Sequence, residues 1–161
     1  MRVLFVTTMK ILRTNDIPWA DALQRGAYWQ RRKRLATEAL SASLWELPPG
    51  KKSFPMHRHL LTDEAIFVIS GHGNVRSQDS TTPIGPGDFV PFAPGGDAHQ
   101  LINNGTEPLI YLGVSAGKGN DVTEYPDSRK LHVVIAGKSL AFEEGDAVDY
   151  FTGEPDAASA E

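Results

Sequence analysis

From residue 41 onward, short runs of β-prone, largely apolar residues alternate with polar clusters rich in glycine, proline, asparagine and aspartate. The runs cover 41–47, 53–59, 64–70, 74–78, 88–92, 98–103, 109–115 and 131–136. Between them lie Pro48-Pro49-Gly50, Gly71-His72-Gly73, Gly85-Pro86-Gly87-Asp88, Pro94-Gly95-Gly96 and Asn103-Asn104-Gly105. Each supplies a positive or preset φ where the chain must reverse. Many short strands with frequent turns and no long amphipathic helix predict an all-β sandwich or barrel. No segment repeats another, so one barrel is expected.

The first forty residues read differently. They hold three bulky anchors, Trp19, Tyr28 and Trp29, without a sustained helical stripe. They are expected to form an arm with a short helical turn near 19–24, packed on the barrel or on a partner subunit. The barrel itself is assigned to 41–152. Residues 153–161 contain little that could be buried and are expected to be a disordered tail. Met9 is an alternative start to Met1.

Composition narrows the function. The chain has 161 residues, 40% apolar and 22% charged, which suits one soluble domain with its own core. It has no cysteine, so neither a disulfide nor a thiolate ligand or nucleophile is available. A reducing cytoplasm is the expected location. The four-residue apolar run 3–6 is shorter than a secretory h-region and far shorter than the roughly 20 residues of a membrane span. The net charge is −4, against nucleic-acid binding. The one basic cluster, Arg31-Arg32-Lys33-Arg34, is read as a solvated loop or an oligomer contact in preference to a phosphate site. A homodimer is expected, because the Trp-rich arm before residue 40 has little core of its own and 41–47 reads as a sheet-edge strand, and exposed edges are usually covered.

The chemistry concentrates in two stretches. His57 and His59 are two apart, so on a strand both imidazoles project to one face. Glu64 opens the following strand and can return to that side, and His99 heads a later strand. Three imidazoles and a carboxylate gathered inside an apolar barrel are costly unless a cation pairs them. Neutral imidazole and carboxylate suit zinc, manganese, iron, nickel or copper alike.

The spacing is Gly50-x6-His57-x-His59-x4-Glu64-x6-Gly71, followed by Gly87-x6-Pro94-x-Gly96-x2-His99-x3-Asn103. Both stretches resemble the two cupin motifs, each with one extra residue after its first glycine. The resemblance spans about residues 40–116 and implies a double-stranded β-helix, or jelly-roll barrel. It implies the metal ligands His57, His59, Glu64 and His99, with positions left open for water or substrate. One divalent transition metal (Zn, Mn, Fe or Ni) is the implied cofactor. Asn120-Asp121-Val122 and the segment 124–130 further resemble bacterial cupins provisionally designated sugar-phosphate isomerases.

The expected function is a metal-dependent enzyme on a small polar metabolite such as a sugar or sugar phosphate. Glu64, or a hydroxide on the metal, would move the proton. An Fe(II) dioxygenase, a decarboxylase and a non-catalytic ligand-binding cupin are the alternatives that the same ligand set permits. Of the remaining residues, His72 is read as an exposed turn residue and His132 as structural. Asn103 is read as an Asx turn, and Trp45, Phe67, Phe89 and Phe92 as core. Arg76 and Tyr111 would hold an anionic substrate group if they faced the barrel mouth, but solvent and core are the favoured fates.

Overall fold

The computed structural model describes residues 11–35, 40–117 and 119–155. The alternative start at Met9 and the tail from residue 156 onward lie outside them. After a 3-10 turn at Thr14–Asp16, the strands are β1 (Leu23–Arg25), β2 (Tyr28–Arg34), β3 (Ser41–Leu47), β4 (Arg58–His59), β5 (Asp63–Ser70) and β6 (Gly73–Arg76). They continue as β7 (Thr81–Ile84), β8 (Phe89–Phe92), β9 (Gln100–Ile102), β10 (Leu109–Ala116), β11 (Asp121–Tyr125), β12 (Lys130–Ile135) and β13 (Lys138–Glu143). One sheet runs β1-β2-β3-β10-β5-β8, a second β13-β12-β11-β4, and a third β7-β6-β9. Every strand pairing is antiparallel, as the jelly-roll reading requires.

Register explains why one end of the barrel is packed and the other hollow. Across β3 and β10, Leu47 faces Leu109; in the next inward row Trp45 faces Tyr111, and Tyr111 faces Val68 of β5. Leu47, Leu109 and Val68 are fully buried and form the core with Ile66, Ile84, Leu101 and Tyr111. Two residues along, the inward row is Ser43, Gly113 and Ile66; beyond it come Ser41, Ser115 and Glu64. Side-chain volume on β3 and β10 therefore falls from leucine to serine and glycine along the same face. The large residues exclude water and supply the hydrophobic stabilisation, while the small ones leave a cavity. Gly113 is required here, since a Cβ on it would come within 2.8 Å of Trp45 Nε1.

The motif glycines act as turn residues. Gly50, Gly71 and Gly87 have φ of +71°, +79° and +94°, a region costly for residues with a Cβ. The extra residue after Gly50 and after Gly87 is thus accommodated without displacing either glycine from its turn. Asn103 is completely buried: its amide nitrogen donates to Leu47 O (2.7 Å) and Glu107 O (2.9 Å), and its Oδ1 accepts from Gly105 N. The expected Asx turn is present, and it also ties β3 to the turn before β10.

Several sequence expectations change. No helical turn occupies 19–24. Trp19 lies beneath Arg31 and Lys33 (4.8 and 4.9 Å from ring centre), and Ala20 N–H donates to Arg32 O, so the segment runs extended beside β2. The basic cluster is strand β2, not a loop. Arg31 forks onto Glu46 across the sheet at 2.9 and 3.0 Å. β3 is not an edge strand, because β2 covers one side and β10 the other. That removes the uncovered edge at 41–47, one of the two grounds for expecting a dimer. The run 53–59 forms only β4 plus a bridge of His57 with His99, since Pro55 has no N–H to give a ladder. Phe67 and Phe89 are not core. They face each other across β5 and β8 on the outer surface, 41% and 61% exposed, because Ile66 and Val68 take the inward positions.

Candidate metal centre

The bridge between His57 and His99 sets the floor of the cavity. His57 N–H donates to His99 O at 3.1 Å, and His99 N–H to His57 O at 2.8 Å. This pairing brings the two imidazoles together, with ring centres 4.7 Å apart. Glu64, at the start of β5, reaches between them. Its Oε2 lies 3.8 Å from His57 Nε2, 3.5 Å from His99 Nε2 and 3.3 Å from His59 Nε2. Ligand atoms of His57, Glu64 and His99 all lie within 4.8 Å of one another. His59 approaches Glu64 closely but stands outside that mutual set. All four residues expected as ligands therefore gather at one place.

The second ring nitrogens decide which atoms are free. His57 Nδ1 is 2.8 Å from Pro55 O, a carbonyl that can only accept, so the proton sits on Nδ1 and Nε2 presents its lone pair to the cavity. His59 Nδ1 contacts the Asp121 carboxylate, which fixes the same tautomer. His99 Nδ1 is buried without a hydrogen bond among the described residues, and its ring lies flat on Phe92 at 3.5 Å. Three Nε2 atoms and one carboxylate oxygen make a donor set suited to a divalent transition metal.

Electrostatics agree with that donor set. Burial, reinforced by the neighbouring His99, lowers the His57 pKa to about 4, so the imidazole is neutral at physiological pH. Burial pushes the Glu64 carboxyl up, but the imidazoles gathered around it, His99 first and then His59 and His57, outweigh that and hold it below its ordinary value. Burial, with the Glu64 charge adding to it, raises the Tyr111 and Tyr125 hydroxyls, which stay protonated.

The cavity above this floor has a volume of about 340 Å³. Its walls include residues the sequence reading passed over. β11 was not foreseen, yet Asp121, Thr123 and Tyr125 alternate on its inner face, and Tyr125 stacks on His57 at 6.0 Å. The signal was the period-two spacing of Asp121, Thr123 and Tyr125, masked by the polar character of the run. His132 also lines the wall, with Nε2 2.7 Å from Ser139 Oγ. Arg32 lines it too. Tyr111 is both core and wall. Arg76 is committed elsewhere, forked onto Asp127 at 2.7 and 2.9 Å. His72 is an exposed turn residue, as expected.

Asp121 carries two donors at once: Oδ2 holds His59 Nδ1 and Oδ1 accepts from Leu61 N at 3.1 Å. Asparagine has one acceptor oxygen for the two. Asp121→Asn is expected to weaken divalent-metal affinity about 10- to 100-fold, measured by chelator competition, with circular dichroism unchanged.

The chain's relatives agree with this architecture. A family model described as the cupin domain matches residues 43–115. A protein of Acidithiobacillus ferrooxidans, provisionally named a sugar phosphate isomerase, is 30% identical, with a TM-score of 0.69 over 74% of this chain and 80% of that one. A sugar phosphate isomerase of the cupin superfamily from Silicibacter pomeroyi is 20% identical, with a TM-score of 0.77 over 86% and 95%. An oxalate decarboxylase predicted in Thermotoga maritima is 21% identical, with a TM-score of 0.60 over 67% and 99%. No curated protein matches the sequence. A jelly-roll barrel with histidine and glutamate converging on its floor defines a cupin, and this chain belongs to the cupin superfamily. No helix among the described residues is long and apolar enough to cross a membrane.

Proposed function

We propose that the protein is a metal-dependent isomerase of a small, polyhydroxylated metabolite such as a sugar or sugar phosphate. The reading rests chiefly on one observation: three imidazole Nε2 atoms meet a single Glu64 oxygen at 3.3–3.8 Å on the floor of a closed-ended cavity. His57, His59, Glu64 and His99 are the proposed ligands. A divalent cation held there would supply Lewis-acid polarisation of a substrate oxygen.

The chain's own groups do the rest. His57 and His59 are held in one tautomer by Pro55 O and Asp121, so no reorganisation precedes binding. Phe92 and Ile66 line the cavity beside Glu64 and exclude water from one side. Glu64, ionised at neutral pH, takes the proton from the hydroxyl-bearing carbon beside the substrate carbonyl and returns it to the former carbonyl carbon, while the hydroxyl proton passes from the one substrate oxygen to the other. The name carried by the Acidithiobacillus ferrooxidans relative supports this substrate class.

Proton exchange is the direct test. Aldose and ketose phosphates incubated in D2O with the protein are expected to gain deuterium at C1 or C2, followed by NMR, and Glu64→Gln is expected to abolish the exchange. A wild-type protein loaded with zinc, manganese, iron or nickel that exchanges no proton of any aldose or ketose phosphate would refute isomerisation. Oxygen uptake by the iron form would point to a dioxygenase instead.

A further inference from the structure

The far wall of the cavity carries a cation with no ion-pair partner among the described residues. Arg31, Arg58 and Arg76 are each paired with a carboxylate, on Glu46, Glu124 and Asp127 respectively. Arg32 is different. Strand alternation turns it away from Arg31 and Lys33 and onto the cavity face of β2, where it lines the wall. Its guanidinium lies over the Trp45 indole, 5.2 Å from the ring centre, and makes no ion pair or side-chain hydrogen bond among the described residues. Stacking on an indole fixes the plane of a guanidinium while leaving its N–H fork free.

The surroundings suit an anionic, hydroxylated ligand. Ser41, Ser43 and Ser115 line the wall between Arg32 and Glu64, and their hydroxyls hydrogen-bond no described residue. Gly113 leaves the room into which Trp45 lies. Glu64 and Asp121 stand together at the opposite end, where His59 contacts both. β2 and β5 are three strand spacings apart, a span of roughly 14 Å across the sheet. A sugar-sized molecule together with the arginine stem bridges that span.

We propose that Arg32, presented by Trp45, is the specificity-determining residue for substrates ending in an anionic oxygen group, a phosphate monoester or a carboxylate, whose hydroxylated end points to Glu64. This rests on the substrate class proposed above and adds the orientation and the residue that reads it. The paired donors of arginine match either group.

Calorimetric titration of the full-length protein with ribose 5-phosphate, gluconate and neutral ribose tests it. At least one of the two anions is expected to bind and ribose not to, and which anion binds separates phosphate from carboxylate. Arg32→Gln is expected to weaken the anion about 10- to 100-fold, the worth of a charge-assisted pair. Arg32→Lys recovers part of it, and the gap between wild type and Arg32→Gln narrows with added salt, which screens the arginine's charge. Arg25→Gln, on β1 outside the cavity wall, stays within about twofold of wild type. Equal affinity in wild type and Arg32→Gln, binding of neutral ribose as tight as that of the anion that binds, or no binding of either anion overturns the assignment. Metal content and deuterium exchange report separately on the isomerase reading, so the two fail independently.

Discussion

Gly71→Ala is expected to lower stability by roughly 3 kcal/mol, the largest single loss from a one-carbon change in this chain. Two causes add. Gly71 sits at φ +79°, where an L-residue is strained. A Cβ there would also stand 2.2 Å from Pro108 O and 2.9 Å from Leu109 Cα, both backbone atoms that no rotamer change can move aside. Relief requires β5 to shift against β10, and those strands carry Val68 and Leu109 of the core. Urea unfolding followed by tryptophan fluorescence measures the loss. Gly137→Ala, also at positive φ but with open space around it, should cost far less, which separates the clash from the backbone strain.

The second large effect is acid sensitivity of the metal-free protein. His57 titrates near 4 in the folded state and near 6.5 when unfolded. Above pH 6.5 both states are neutral at this residue and it contributes no pH dependence. Between 6.5 and 4 the unfolded chain binds a proton that the folded chain refuses, so stability falls as pH falls. The whole window is worth ~3 kcal/mol. Glu64, held below its ordinary value of 4.5, extends the loss to lower pH, since its contribution is present above 4.5 and disappears as the folded carboxyl protonates. Urea midpoints between pH 7 and 4.5 are expected to drop steeply in wild type and to flatten in His57→Gln. A flat wild-type profile would contradict the burial of a neutral imidazole.

The barrel was legible because its reversals are written in glycine and proline, and its ligands because histidines two apart on an extended segment share a face. The four ligand positions are those the cupin resemblance implies, and all reach one place. Less of the wall was legible. Asp121 is 62 residues from the histidine it orients, and nothing local in the Asp-Val-Thr-Glu-Tyr run marks a carboxylate as second partner to an imidazole. Arg32 was hidden in a basic run, because four consecutive cations look alike until strand alternation sends Arg31 to Glu46 and Arg32 to the cavity. The arm was misread for a related reason. Trp19 and Trp29 carry no period by themselves, and the hairpin β1–β2 becomes part of the sheet only through the pairing of β2 with β3. Phe67 and Phe89 show the opposite failure, where hydrophobicity suggested burial and the pleat placed both rings outside.

Metal content tests the central claim most directly. The protein, purified without a tag or chelator, is analysed by elemental mass spectrometry beside a His57→Ala/His59→Ala variant. Near one divalent transition metal per chain in wild type, lost in the variant while its circular dichroism is retained, is the predicted result. A wild type that holds no metal after anaerobic reconstitution with iron, manganese, nickel and zinc would contradict it.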